Sequence, residues 1–90
     1  MSVRIGIPPF LLQIANNNRE VIVEGKTVGE CLQALIARFP EAEKVIMDTN
    51  GKLLKHIDVF INGVSIYPEE LTKTVKDGDE LYIVNIIVGG

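Results

Sequence analysis

The chain ends Val88-Gly89-Gly90, and here its residue types and spacing bear most directly on chemistry. Glycine has no β-carbon, so a Gly-Gly tail can pass through a narrow channel and present a bare carboxylate to another enzyme. Fully extended, Asn85 to Gly90 spans roughly 20 Å at about 3.3–3.6 Å per residue, enough to reach a buried site. The other reactive residues offer less. Cys31, the single cysteine, sits among apolar residues at helical spacing and reads as a buried structural thiol. His56, the single histidine, reads as a surface loop residue with no cysteine or carboxylate at ligand spacing, so no metal site is assigned. Asp77, Asp79 and Glu80 lack the ligand spacing of a calcium loop and read as a solvated turn, as Glu69-Glu70 reads as a solvated loop. There is no Ser/His/Asp arrangement and no phosphate-cradling loop. No catalytic residue and no bound cofactor are expected.

Composition narrows the classes of partner. Ninety residues make one domain, and 47% hydrophobic with 23% charged residues is ordinary globular composition. A net charge of -3 and a pI near 5.0 weigh against non-specific binding to nucleic acid. One cysteine rules out an intramolecular disulfide and fits a reducing, cytoplasmic setting. Met1 to Leu12 has one basic residue and two prolines, which is not the form of a secretory signal. The longest apolar run, Leu81 to Val88, is broken by Asn85 and falls short of the roughly 18 residues of a spanning helix. No membrane association is expected.

Periodicity places these residues on elements. Val3-Arg4-Ile5-Gly6-Ile7 alternates as a half-buried strand does, and Pro8-Pro9 ends it. Phe10 to Ala15 is apolar without clear period. Asn16-Asn17-Asn18 is a turn signal before a second strand, Glu20 to Glu24. Thr27-Val28-Gly29-Glu30 has capping-box form, and Val28, Cys31, Leu32, Leu35, Ile36 and Phe39 make one helical stripe that Pro40 stops. Glu41 to Met47 can form a short second helix, and Asp48-Thr49-Asn50-Gly51 is a turn. Ile57 to Ile61 and Val64 to Tyr67 flank Asn62-Gly63 as a hairpin, and Glu80 to Val84 is the last strand. The order β-β-α-β-β-β is α+β, one main helix packed across a mixed sheet. A domain over residues 1–84 and a flexible tail over 85–90 follow.

Strand parity exposes a second candidate site. With Val3, Ile5, Ile7, Val21, Val23, Ile57, Val59, Ile61, Leu81 and Ile83 facing the helix, the opposite sheet face holds Ile22, Phe60, Tyr82 and Val84. Four large apolar residues on that face mark a partner-docking patch, unless Pro9 to Leu12 or Glu41 to Met47 covers them.

The element order, the Lys76-Asp77-Gly78-Asp79-Glu80 turn, the last strand and Gly89-Gly90 together resemble the ubiquitin-like sulfur carriers of the MoaD/ThiS family. These include the small subunit of molybdopterin synthase and the carriers of thiamine and cysteine biosynthesis. The resemblance covers nearly the whole chain and implies a β-grasp fold. It also implies that a ubiquitin-activating-type enzyme uses ATP to adenylate the Gly90 carboxylate, with a sulfur donor then making the thiocarboxylate. The sulfur goes to an accepting enzyme, such as a molybdopterin synthase large subunit or a cysteine synthase. On this reading the chain is a protein substrate rather than an enzyme, able to serve as the small subunit of a sulfur-transfer complex. Asn85-Ile86-Ile87-Val88 stands where molybdopterin synthase small subunits often carry prolines. The thiamine carriers lack a segment like Pro40 to His56. Ile7-Pro8-Pro9-Phe10-Leu11 and Gly51-Lys52-Leu53 look more like the carriers of cysteine biosynthesis.

Two other readings keep the same fold. A ubiquitin-like modifier would join its Gly90 carboxylate to a lysine by an isopeptide bond. A plain β-grasp interaction domain would leave the terminal glycines without a role.

Overall fold

A computed structural model describes residues 1–86. Alternating apolar residues form β1 (Ser2–Gly6) and β2 (Glu20–Glu24), with Val3, Ile5, Val21 and Val23 all buried. They pair antiparallel, Val3 opposite Val23 and Ile5 opposite Val21. Between them lies a short helix, α1 (Pro9–Leu12), in the stretch where the sequence shows no period. Proline suits a first helical turn because its missing amide has no partner there anyway, and Pro9 takes that place. Leu11 enters the core. Asn16 and Asn17 then adopt left-handed φ angles of 55° and 63° and turn the chain into β2.

The main helix, α2 (Val28–Arg38), starts at Thr27, whose Oγ1 accepts the Glu30 amide at 3.1 Å. Glu30 Oε1 reaches one residue past the N-cap and accepts the Lys26 amide at 2.9 Å. Val28, Cys31, Leu32, Leu35 and Ile36 make the buried stripe. A 3-10 turn at Pro40–Ala42 and a single-turn helix, α3 (Glu43–Ile46), follow, so the second short helix is present but irregular at its start.

The remaining strands are β3 (Ile57–Ile61), β4 (Val64–Ser65) and β5 (Glu80–Asn85). Asn62 (φ 50°) and Gly63 (φ 86°) make the tight turn between β3 and β4. Strand β4 stops at Ser65 rather than at Tyr67: Ile66 still donates to Val59 O at 3.1 Å, but the Tyr67 amide turns back to Ser65 Oγ at 3.2 Å, and Pro68 has no amide to resume a ladder. A 3-10 turn at Glu70–Thr72 then packs against the start of α2, where the Val28 amide donates to Lys73 O at 2.9 Å.

The sheet order is β2-β1-β5-β3-β4, with β1 and β5 parallel at the centre and every other pair antiparallel. Helix α2 lies across one face, and the core fills the space between them. This is the ubiquitin-like β-grasp fold. Nine of the ten strand residues expected to face the helix are buried, and Ile61 is partly buried beside them. Among the described residues, no helix is long and apolar enough to cross a membrane.

Candidate functional site

Strand β5 links the core to the tail. Leu81 and Ile83 are fully buried, so the strand is anchored on its inner side. It runs one residue past Val84, because Asn85 pairs with Ile57, and the Ile86 amide donates to His56 O at 2.6 Å. The boundary expected after Val84 therefore moves: the sheet holds the chain through Asn85, and one further hydrogen bond ties Ile86. Gly89 and Gly90, the expected reacting end, lie outside the described residues.

The other end of β5 is fastened by the turn before it. Asp79 Oδ2 accepts the Lys76 amide at 2.7 Å and Oδ1 accepts Asn62 Nδ2 at 3.0 Å. Asn62 Oδ1 accepts the Glu80 amide in return, at 3.0 Å. The Lys76 amide and then the Asn62 side chain hold the Asp79 carboxyl below the ordinary carboxylate range, because both bonds favour its charged form. Asp77 Oδ1 accepts the Ser2 amide at 2.7 Å. The acidic turn, expected to be merely solvated, is a clasp joining the β3–β4 turn and the start of β1 to β5. This is the positional meaning of the Asp-Gly-Asp signal: aspartates that bond backbone amides define a turn.

The outer sheet face holds the four residues expected to dock a partner. Tyr82 is 44% exposed and Ile22 57%, whereas Phe60 and Val84 are half-buried. Phe60 and Tyr82 are directly paired across β3 and β5, and Val84 lies two residues further along the same face. Ile22 stands apart. Strand β1 separates it from β5, and Arg4, paired with Ile22 in register, reaches Glu80 at 3.9 Å. The patch is thus an aromatic pair with Val84 on one side, an ion pair beside it, and Ile22 beyond. Pro9 to Leu12 does not cover it: Pro9 and Leu12 border a shallow pocket with Ile7, Arg19 and Tyr82, leaving the ring accessible.

Sequence reasoning missed Gly6. It pairs with Tyr82 in the parallel ladder, and a β-carbon on it would lie 2.5 Å from Tyr82 Cδ1. The ring therefore lies against bare backbone. The available signal was a glycine inside an alternating strand, which marks close approach. Val64 and Tyr67, 69% and 74% exposed at the β3–β4 hairpin, were also missed as surface residues. Cys31 is fully buried, and burial, then the Glu30 carboxylate, raises its thiol pKa. A thiol so placed is a poor nucleophile. His56 is exposed. Among the described residues, no three His, Cys, Asp or Glu side chains cluster to hold a metal.

The ThiS family model matches residues 11–90. An Archaeoglobus fulgidus protein with a provisional name as a sulfur carrier is 29% identical over 91 residues, covering 100% of both chains. Small archaeal modifier protein 1 of Haloferax volcanii is 36% identical over 64 residues, 71% of this chain and 70% of that one. A chain in the crystal structure of the Amycolatopsis orientalis BexX/CysO complex superposes with a TM-score of 0.88 at 28% identity, covering 98% of this chain and 99% of that one. With nearly all of its length matched, the chain belongs to the ThiS family of small ubiquitin-like sulfur carriers and modifiers.

Proposed function

We propose that this protein carries sulfur as a thiocarboxylate on Gly90. The observation that supports this most is the Gly89-Gly90 end on a β-grasp chain of the ThiS family. A carboxylate is a poor acyl donor until a good leaving group activates it. On this reading a ubiquitin-activating-type enzyme supplies that group: a Gly90 carboxylate oxygen attacks the α-phosphorus of ATP and pyrophosphate leaves. Hydrosulfide then adds to the acyl carbon, AMP departs and the thioacid loses its proton, leaving the thiocarboxylate for a sulfur-accepting enzyme of cofactor or cysteine biosynthesis. Hydrosulfide suits the second step because, like a thiolate, it is available near neutral pH and intrinsically reactive.

The chain's own part is presentation. Buried Leu81 and Ile83 anchor the strand that precedes the tail, and Phe60, Tyr82 and Val84 offer the activating enzyme an apolar surface beside it. The reaction needs no catalytic group from the carrier. The setting is a reducing cytoplasm, where a thiocarboxylate persists.

One observation favours a second reading, the 36% identity to a small archaeal modifier protein. In that role the activated Gly90 carboxyl would pass to a lysine amine instead of sulfur.

Intact mass spectrometry tests both. The full chain is incubated with a cognate activating enzyme, ATP and a sulfide source. The expected result is an oxygen-to-sulfur mass increase localised to the C-terminal peptide. An unchanged mass, under conditions that convert another family member, overturns the carrier reading. Isopeptide-linked conjugates in protein from the host, without thiocarboxylate, establish the modifier reading instead.

A further inference from the structure

The free edge of the sheet presents a surface separate from the tail and from Tyr82. In the β1–β2 register, Val3 opposes Val23 and Ile5 opposes Val21. The bonds Ile7 N–H to Arg19 O (2.9 Å) and Gly25 N–H to Met1 O (3.1 Å) continue that register at both ends. Hydrogen-bonded pairs alternate along an antiparallel ladder, so Arg19, Val21, Val23 and Gly25 turn their backbone groups toward β1. Glu20, Ile22 and Glu24 therefore aim theirs away from it, and β2 is the outermost strand on that side. The Ile22 carbonyl does point outward: it accepts Arg38 Nη1 from the end of α2 at 3.3 Å.

An outward row of backbone groups is a template for another strand, and charge selects which strand. The side chains of Glu20, Ile22 and Glu24 are exposed on the outer face of the edge. A second copy pairing antiparallel about a two-fold axis at Ile22 would set each Glu20 beside the other copy's Glu24. That creates two like-charge pairs and is disfavoured. A strand of the pattern basic–x–apolar–x–basic does the opposite, with a cation beside each glutamate and an apolar side chain beside Ile22.

We propose that the β2 edge docks an extended segment of a basic partner protein with that alternation, added as a further strand beside Glu20, Ile22 and Glu24. Arg38 releases the Ile22 carbonyl to admit it. The guanidinium already lies 5.5 Å from the centre of the Phe39 ring, which keeps it at the rim once released.

The test titrates the isotopically labelled full chain with an end-blocked peptide, Thr-Lys-Thr-Val-Thr-Lys-Thr, followed by NMR. The amides of Glu20, Ile22 and Glu24 shift, and exchange of the Ile22 amide slows. A matched peptide with glutamate in place of lysine binds at least roughly tenfold more weakly. The double variant Glu20→Lys, Glu24→Lys reverses that preference. Ile22→Pro removes an outward amide and no bond to β1, so it keeps the fold and loses the peptide. If Ile22→Pro does not fold, the charge-reversed pair decides the matter alone. Shifts centred on Tyr82 instead of β2, equal binding of the two peptides, or no binding overturns the proposal. Self-association of the unmodified chain through β2 also overturns it, by assigning the edge to a second copy.

Discussion

Tyr82 lies against Gly6 so closely that a β-carbon at position 6 would stand 2.5 Å from its ring. An aromatic side chain over a strand glycine covers backbone that would otherwise be wet, and the glycine in turn fixes how low the ring lies. Gly6→Ala should therefore lift the ring. Because Tyr82 is 44% exposed, the ring has room to move outward. The expected cost is about 1 kcal/mol, the low end of overpacking penalties. Thermal unfolding and the Tyr82 ring resonances check this; an unmoved ring would show that the backbone gives way instead.

The same ring should anchor the activating enzyme. Tyr82→Asp is expected to weaken that binding by about 2 kcal/mol or more, as loss of an aromatic anchor does. Phe60→Asp should weaken it as well, but with some loss of stability, because Phe60 is half-buried. Calorimetric titration beside circular dichroism separates the two effects. Normal binding by the folded Tyr82→Asp variant would place the docking surface elsewhere.

The Asp79 clasp predicts a dependence on pH. Its carboxyl is held below the ordinary range in the folded chain, chiefly by the Lys76 amide. A depressed folded pKa gives stability that is fully present above the ordinary, unfolded value. That stability is lost as pH falls through the lower, folded pKa. Asp79→Ala should cost about 1 kcal/mol near neutrality, a modest figure because the site is open to water. The difference from the unmodified chain should vanish at low pH. Denaturant unfolding at a series of pH values measures it; a penalty that persists below the folded pKa would assign the effect to packing.

Removing Gly89 and Gly90 should separate chemistry from folding. The last fully buried residue of the described chain is Ile83, so the truncated protein keeps its whole described core. Its melting temperature should hardly change. ATP–pyrophosphate exchange by the activating enzyme should disappear, since the carboxylate would belong to Val88, whose branched side chain crowds the approach. Full exchange activity in the truncated chain would contradict the proposed role of Gly90.

Cys31 offers a control on the native packing. Burial, then the Glu30 carboxylate, raises its pKa, and the side chain is fully covered. A thiol reagent should label it only at the rate at which the chain opens, and promptly in denaturant. Fast labelling of the native protein would mean that α2 separates readily from the sheet.

What was legible in the sequence was whatever local pattern controls. Val28 to Phe39 declares a helix because its apolar spacing, its Thr27 cap and Pro40 all agree. Strands β1, β2, β3 and β5 show alternation because one of their faces is buried. Helix α1 did not show itself, since a single turn is too short to display a period and Pro8-Pro9 reads equally as a strand end. Gly29 stands in the first turn of α2, where glycine is a poor helix former. A β-carbon there would lie 3.1 Å from Leu71 O, so the glycine serves the close approach of the Glu70–Thr72 turn, a long-range contact that no local pattern encodes. The outer face was legible as parity but not as a map. Which residues of it touch depends on strand order, and it is the placement of β1 between β2 and β5 that sets Ile22 apart from Tyr82.

The parallel pairing of β1 with β5 has a mechanical consequence. Arg4, Ile5 and Gly6 run in the same direction beside Glu80, Leu81 and Tyr82, so Ser2 and Asn85 leave the sheet at opposite poles. A pull applied between those two points slides the strands past each other instead of unzipping them. The rungs of that ladder bear the load together, and the antiparallel ladder to β3 braces β5 from its other side. A pull on Asn85 along β5, with β1 held, therefore loads these rungs in shear, and β5 resists it better than a peeling force of the same size.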